Sequence, residues 1–294
     1  MTQVEDIAYE GWEHCVRIDN GLVELVVTTD VGPRIVDFRR SAGENVFFLD
    51  EAATGTTGGE DWELYGGHRL WHAPESDPRT YQPDNELVEV ERTDRGCRLV
   101  QPVEGETGIR KAIEIEMPDG EPAVEIGHEL TNEGVWSVEL APWAISVCKP
   151  GGTAVVPFPD GDPDELLPDR SLVFWPRTDV SDERIRYVDD HVLVEQADGP
   201  EFKIGANALD GWAAYVNDGR AFVKTFEYDP EATYPDRGAS VEVYMLDHML
   251  ELETLGPLVE LAPGETTSHT ERWHLFEDVS EPETGADAAS IVPE

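Results

Sequence analysis

The chain has 294 residues, with 63 acidic against 21 basic side chains and a formal net charge of −42. So large a negative surplus repels phosphate backbones, and no basic stripe with interleaved aromatics relieves it, which excludes nucleic acid as a partner. No apolar run approaches the ~20 residues of a membrane-spanning helix. Eight Trp, eight Tyr and nine Phe supply a core and exclude a disordered acidic chain.

The first residues, Met1 to Asp6, carry neither a basic start nor an apolar run, so no signal peptide is expected. Residues 21–28, Gly-Leu-Val-Glu-Leu-Val-Val-Thr, are β-branched and bounded by turn residues, and a second strand is expected over 32–38. Residues 54–67 are glycine-rich and read as a loop at the mouth of a site. Residues 87–91, 113–117, 123–130 and 240–245 alternate between apolar and polar, the mark of strands with one buried and one wet face. Turn signals recur between these runs, as at Asp119-Gly120, Asn132-Glu133-Gly134 and Asn217-Asp218-Gly219. Residues 158–169, rich in Pro, Gly and Asp, read as a long surface loop. Helical periodicity is scarce. The expected architecture is all-β, a sandwich of mostly antiparallel strands. One domain is expected over 1–279, followed by an acidic, frayed tail over 280–294. Cys15, Cys97 and Cys148 lie far apart and read as reduced, buried thiols of a cytoplasmic protein. No zinc-type spacing is present, and neither a metal nor a cofactor is expected.

Functional groups concentrate in residues 65–75, Tyr-Gly-Gly-His-Arg-Leu-Trp-His-Ala-Pro-Glu. His68 and His72 are candidates for proton transfer near neutral pH. Arg69 offers forked donors to hydroxyls or carboxylates. Trp71 offers a flat apolar face suited to a sugar ring. Gly66 and Gly67 would let the backbone approach a ligand. A second constellation, Leu250-Glu251-Leu252-Glu253-Thr254, places two carboxylates two apart in a strand and so on one face. Such neighbours raise one another's pKa. Lys149 and Lys224 stand out because the chain has only four lysines, and each is a candidate for binding a sugar hydroxyl or phosphate. Trp143 and Trp175 are candidates for the wall of a sugar site. Arg34 reads as a hairpin cap, His128 as a strand residue, and His248 as a spare proton donor.

Leu252-Glu253-Thr254 resembles the Leu-Glu-Thr segment of aldose 1-epimerases (galactose mutarotases), where the Glu is the catalytic base. Residues 65–74 resemble the Gly-Gly…Trp-Pro segment of the hexose-6-phosphate epimerase branch. Gly32-Pro33-Arg34-Ile35 resembles the superfamily's opening hairpin, Asn132 its middle Asn turn, and residues 261–273 its last hairpin and strand. These motifs run in the expected order from about Gly21 to Phe276. The resemblance implies a β-supersandwich that holds a sugar or sugar phosphate on a concave sheet face. It also implies a mechanism: Glu253 takes the proton of the anomeric hydroxyl while a histidine protonates the ring oxygen. At the family's histidine, residues 139–146 read Glu-Leu-Ala-Pro-Trp-Ala-Ile-Ser, so Pro142 or Trp143 stands in its place. His68, His72 or Lys149 is the expected substitute acid. The leading expectation is therefore an aldose 1-epimerase-like isomerase, with Arg69, Trp71, Trp143, Lys149, Lys224 and Glu251 binding the sugar. The alternative is a noncatalytic carbohydrate-binding or sensing protein on the same fold, and an accessory domain of a lyase or hydrolase ranks behind both. The spread of acids and scarcity of lysines resemble proteins of salt-loving archaea, where ~1 M salt shortens the Debye length to ~3 Å and suppresses self-repulsion.

Overall fold

The computed structural model describes every residue except 160, 162, 163, 165, 293 and 294. In chain order the elements are β1 (Gln3–Tyr9), β2 (Trp12–Asp19), β3 (Val23–Thr28), β4 (Arg34–Arg40), β5 (His68–Ala73), β6 (Glu89–Arg92), β7 (Gly96–Val100), β8 (Ile109–Glu116), β9 (Ala123–Asn132), β10 (Val138–Cys148), β11 (Thr153–Pro157), β12 (Leu172–Phe174), β13 (Ile185–Val188), β14 (His191–Glu195), β15 (Phe202–Ala206), β16 (Trp212–Asn217), β17 (Arg220–Phe226), α1 (Pro235–Gly238), β18 (Val241–Leu246), β19 (Met249–Leu255), β20 (Val259–Leu261), β21 (Thr266–Glu277) and α2 (Gly285–Ala289). The first sheet runs β1-β2-β3-β4-β5-β10-β19-β18-β15-β12, with β20 also paired to β10. The second runs β13-β14-β11-β16-β17-β21-β9-β8-β7-β6. Every strand pairing among the described residues is antiparallel, as the short alternating runs predict.

The sheets face one another across one apolar cluster. Leu25, Phe38, Leu70 and Leu252 enter it from the first sheet; Ile113, Ile126, Phe222 and Trp273 enter from the second. Phe38, Phe47, Phe222 and Trp273 form its aromatic centre, with ring centroids 5.3–5.9 Å apart. Successive side chains of a strand point to opposite faces, so this core sorts every residue of β5 and β19. His68, Leu70 and His72 point between the sheets with Leu250, Leu252 and Thr254. Arg69, Trp71, Glu251 and Glu253 point to the outer face of the first sheet.

That outer face is not wet. β8 and β9 keep the expected alternation, with Glu114, Glu116 and Glu125 exposed. In β3, β5 and β19 every residue is buried, because loops close over the second face. Residues 50–65 supply part of this cover: Ala53 and Tyr65 pack on Trp12, Val26 and Val36. Gly66 and Gly67 have φ of +86° and +68°, and a Cβ on either would stand 2.2 Å from a backbone oxygen of Phe48 or Ile35. Their freedom therefore serves the close packing of chain on chain at the start of β5, not approach to a ligand.

The stretch from Ser280, expected as a frayed tail, carries α2. Thr284 and Asp287 form a capping box at its start. Ala288 and Ile291 are buried against Val155, Leu193, Ala214 and Val223, on the outer face of the second sheet. An apolar sheet face left uncovered recruits the segment nearest to it, and this one recruits the C-terminal segment. Part of the loop expected over 158–169 lies outside the described residues.

Candidate functional site

The outer face of β5, β10, β19, β18 and β15 forms the floor of a cavity of about 260 Å³. Strand register builds it. Trp71 pairs with Trp143 across β5 and β10, Ile145 with Glu253 across β10 and β19, and Glu251 with Tyr244 across β19 and β18. Lys203 on β15 stands opposite Tyr244. Trp62 and Tyr81 come from loops and close the aromatic wall: Trp62 lies 5.2 Å from Trp71, Tyr81 5.0 Å from Trp71, and Trp143 5.5 Å from Trp71. Arg69 lies with its guanidinium carbon 4.5 Å from the Trp71 centroid and 5.5 Å from that of Trp62. Its Nη2 donates to Glu251 Oε1 at 3.0 Å, while its Nε and Nη1, like Trp62 Nε1, are buried donors without a hydrogen-bond partner among the described residues.

Two further carboxylate–tyrosine pairs stand at the rim. Tyr81 donates to Glu75 at 2.5 Å, and Tyr244 donates to Glu201 at 2.8 Å. Below the cavity floor lies a tighter cluster. Glu253 is fully buried, and its Oε2 accepts from Trp143 Nε1 at 2.7 Å and from Lys203 Nζ at 3.0 Å. The Lys203 ammonium also meets Glu242 at 2.7 Å and sits 4.4 Å and 5.0 Å from the ring centroids of Trp143 and Trp175. Burial alone would lower the Lys203 pKa, but the Glu242 and Glu253 carboxylates outweigh it and hold the ammonium charged far above neutral pH. Burial pushes Glu242 well above the usual carboxylate range, against the pull of Lys203. Glu251 is also raised by burial, with Arg69 opposing and Glu253 adding to the rise. The sequence expectation that neighbouring carboxylates perturb one another holds for Glu251, with desolvation the larger cause.

Arg69, Trp71, Trp143 and Glu251 thus meet in one cavity. Glu253 lies beneath it, shielded by Trp143 and Lys203. His68 and His72 do not reach it: the period-2 alternation of β5 turns them to the opposite face of the sheet from Arg69 and Trp71. His72 lies near Glu104, 3.6 Å away. Lys149 lies in a different cavity, with Tyr9, Asn45, Phe48 and His248. Lys224, on the second sheet, points between the sheets. Trp175 does stand at the site, through Lys203. Arg34 is no surface cap; it is buried, donating to the Gly66 carbonyl at 2.9 Å and to Asp84 at 2.6 Å. Sequence reasoning missed Trp62, Tyr81, Lys203, Glu242 and Tyr244. Lys203 carried a signal, as one of four lysines and the one charged residue of an otherwise apolar strand.

Behind the site a polar network fills the space between the sheets. His128 Nδ1 meets the His269 carbonyl at 2.9 Å, so it must carry the proton. Its Nε2 then accepts from His68 Nε2–H at 2.7 Å, and His68 Nδ1 accepts the Ser146 hydroxyl at 2.8 Å. Beside them Lys224 pairs with Glu271 at 3.0 Å and donates to the carbonyls of Ala144 (3.3 Å) and Leu252 (3.1 Å), on the strands that carry Trp143 and Glu253. His68, His128 and Glu271 bring three potential ligand atoms within 4.8 Å of one another. Their hydrogen bonds close without a metal, and the Lys224 ammonium already balances Glu271.

No protein-family model matches the chain, and the comparison with curated proteins gives no match. Solved structures do match. A putative aldose 1-epimerase from Klebsiella pneumoniae superposes with a TM-score of 0.63 at 10% identity, over 98% of this chain and 85% of that one. A galactose mutarotase-like protein from Lactobacillus casei gives 0.59 at 12% identity, over 89% and 100%. A TPR-domain-containing protein from Parabacteroides distasonis gives 0.59 at 13% identity, over 91% of this chain and 48% of its own length, so the chain spans about half of that protein. The class these likenesses define is one of architecture: the chain has the galactose mutarotase-like fold, two packed antiparallel sheets.

Proposed function

We propose that the protein binds a sugar in the cavity on the outer face of the first sheet, without interconverting its anomers. The observation that carries this reading is the cavity wall itself. Trp62, Trp71 and Trp143 offer ring faces, Arg69 and Trp62 offer unpartnered N–H donors, and Glu251 offers an acceptor. Apolar faces with a few convergent polar groups suit a hydroxylated ring. The volume of about 260 Å³ lies below the ~300–1,000 Å³ of drug-sized sites and suits a single ring. The Klebsiella neighbour, a putative aldose 1-epimerase, and the Lactobacillus neighbour, a galactose mutarotase-like protein, support a sugar as the ligand class.

Ring opening needs a base at the anomeric hydroxyl and an acid at the ring oxygen. Glu253 is held by Trp143 and Lys203 and has no exposed surface. Lys203, Tyr81 and Tyr244 are all held protonated far above neutral pH, and the hydrogen bond from Tyr244 holds Glu201 below the usual carboxylate range. One observation favours the second reading, epimerase-like turnover: Glu251 lines the cavity, and burial raises its pKa toward neutrality, as a proton-transfer group requires.

Proton NMR on free aldoses and hexose 6-phosphates, in high KCl with and without the protein, separates these readings. Saturable line broadening for one sugar, with unchanged α/β exchange and about tenfold weaker binding in Trp71→Ala, is the expected result. Accelerated exchange that Glu251→Gln removes establishes the second reading. No broadening with any sugar rejects both.

A further inference from the structure

A second cavity, of about 260 Å³, lies between residues 82–86 and residues 101–105, away from the aromatic wall. Its lining is oxygen-rich: Gln82, Asp84, Asn85, Glu86, Gln101 and Glu104 contribute to it. Asp84, Gln101 and Glu104 are each more than nine-tenths buried. Asp84 turns Oδ2 to the buried Arg34 at 2.6 Å, while its Oδ1 has no hydrogen-bond partner among the described residues. The Gln101 side-chain oxygen has none either. Glu104 Oε1 forms an ion pair with Lys111 at 2.5 Å but no hydrogen bond of good geometry. Burial would raise the Glu104 pKa, yet Lys111, His72 and Thr107 outweigh it and bring it down to about 2, so it is a carboxylate at neutral pH.

Buried acceptors are normally satisfied, and a set of them lining one polar cavity calls for a partner that offers positive charge to several oxygens at once. We propose that this cavity binds a monovalent alkali cation, K⁺ or Na⁺, through the Asp84 carboxylate and the Gln101 carbonyl, with Glu104 nearby. Charge selects the valence. Asp84 is paired with Arg34 and Glu104 with Lys111, and the remaining lining carboxylate, Glu86, is exposed to solvent, so the cavity offers too little uncompensated charge for a divalent ion. All-oxygen donors suit a hard cation.

The site also has a mechanical neighbour. Asn85 lines the cavity and fastens the segment that carries Trp62. It accepts from Tyr65 Oη at 3.1 Å, donates to the Asp61 carbonyl at 2.7 Å and accepts from Gly58 N–H at 2.8 Å. An ion there firms the root of the loop that forms part of the aromatic wall. The inference does not depend on the sugar reading, because its tests contain no sugar.

The direct experiment is anomalous diffraction from crystals of the full chain grown in RbCl. The expected result is a Rb⁺ peak between Asp84 and Gln101. A companion measurement compares Tm in KCl and in choline chloride at equal ionic strength. The intact protein should melt several degrees higher in KCl; Gln101→Leu should abolish that difference, and Gln101→Glu should retain it. Absence of the anomalous peak, equal Tm in the two salts, or a K⁺ increment indifferent to Gln101→Leu overturns the proposal. Should Gln101→Leu fail to fold, the Rb⁺ map on the unaltered protein decides alone.

Discussion

Lys203 is the residue on which the site balances. It pairs with both Glu242 and Glu253, which are fully buried, and its removal would leave two carboxyl groups without a cation in a medium that penalises charge. Breaking a buried ion pair from one side costs about 3–5 kcal/mol. Lys203→Met should therefore lose about that much stability at pH 7. Without the ammonium the Glu242 carboxyl, already raised by burial, rises further. The loss should then be smaller at pH 5, where protonation is easier, because groups whose folded pKa is raised are destabilising above their unfolded pKa and neutral below it. Urea unfolding at the two pH values checks both statements, and an equal loss at both would show that the carboxyls do not answer to Lys203. Glu251 behaves differently because it reaches the cavity and is held by Arg69, which lines the same cavity. A ligand there meets a donor–acceptor pair with fixed orientation.

At the scale of strands, the two packed sheets carry a buried polar network as well as an apolar core, and that network is acid-sensitive. Burial, with Lys224, His128, Arg69 and Arg34 adding, holds His68 well below its ordinary value; burial also lowers His128, and takes His269 down to about 3. Burial would raise Glu271, but Lys224, His128 and His269 outweigh it and bring it to about 2. A histidine neutral when folded and protonated when unfolded withdraws stability as pH falls below ~6.5. A carboxylate with a depressed pKa withdraws it below ~4.3. Both signs agree, so Tm should fall steadily from pH 7 to pH 4; a flat profile above pH 5 would contradict the neutral-histidine assignment. The same strands show how much could be read beforehand. Alternation located β6, β8, β9 and β18, β-branched residues between turns located β3 and β4, and the spacing of Glu251 and Glu253 put them on one face. Alternation also separates His68 and His72 from Arg69 and Trp71. What counting along one strand cannot supply is the second face's cover: Trp62 and Tyr81 come from loops, and Lys203 and Tyr244 from strands far along the chain. Those contacts turned a nominal solvent face into a buried one, and Trp143 became a lid on Glu253.

For the molecule as a whole, the formal charge of −42 sets the conditions of stability. Self-repulsion opposes the compact state at low ionic strength and fades as the Debye length falls from ~10 Å at 0.1 M to ~3 Å at 1 M. Tm should rise with added salt, and should do so in choline chloride as well as KCl, since screening is blind to ion identity. A Tm indifferent to both salts would mean that the surface acids are neutralised within the fold. Ion pairs such as Arg98 with Glu129 and Arg110 with Glu133 do not reduce this surplus, because the net charge already counts their basic partners.

The strict division of labour along β5 bears on how this segment can change over generations. Its imidazoles belong to the interior and its guanidinium and indole to the cavity, in alternate positions. Substitutions can alter either set without disturbing the other. A single inserted or deleted residue between Gly67 and Pro74 would exchange the two sets wholesale, burying Arg69 among apolar side chains and turning the histidines outward. Drift here should thus proceed by replacement at constant length, with length variation confined to the loop before Tyr65 and the turn after Pro74.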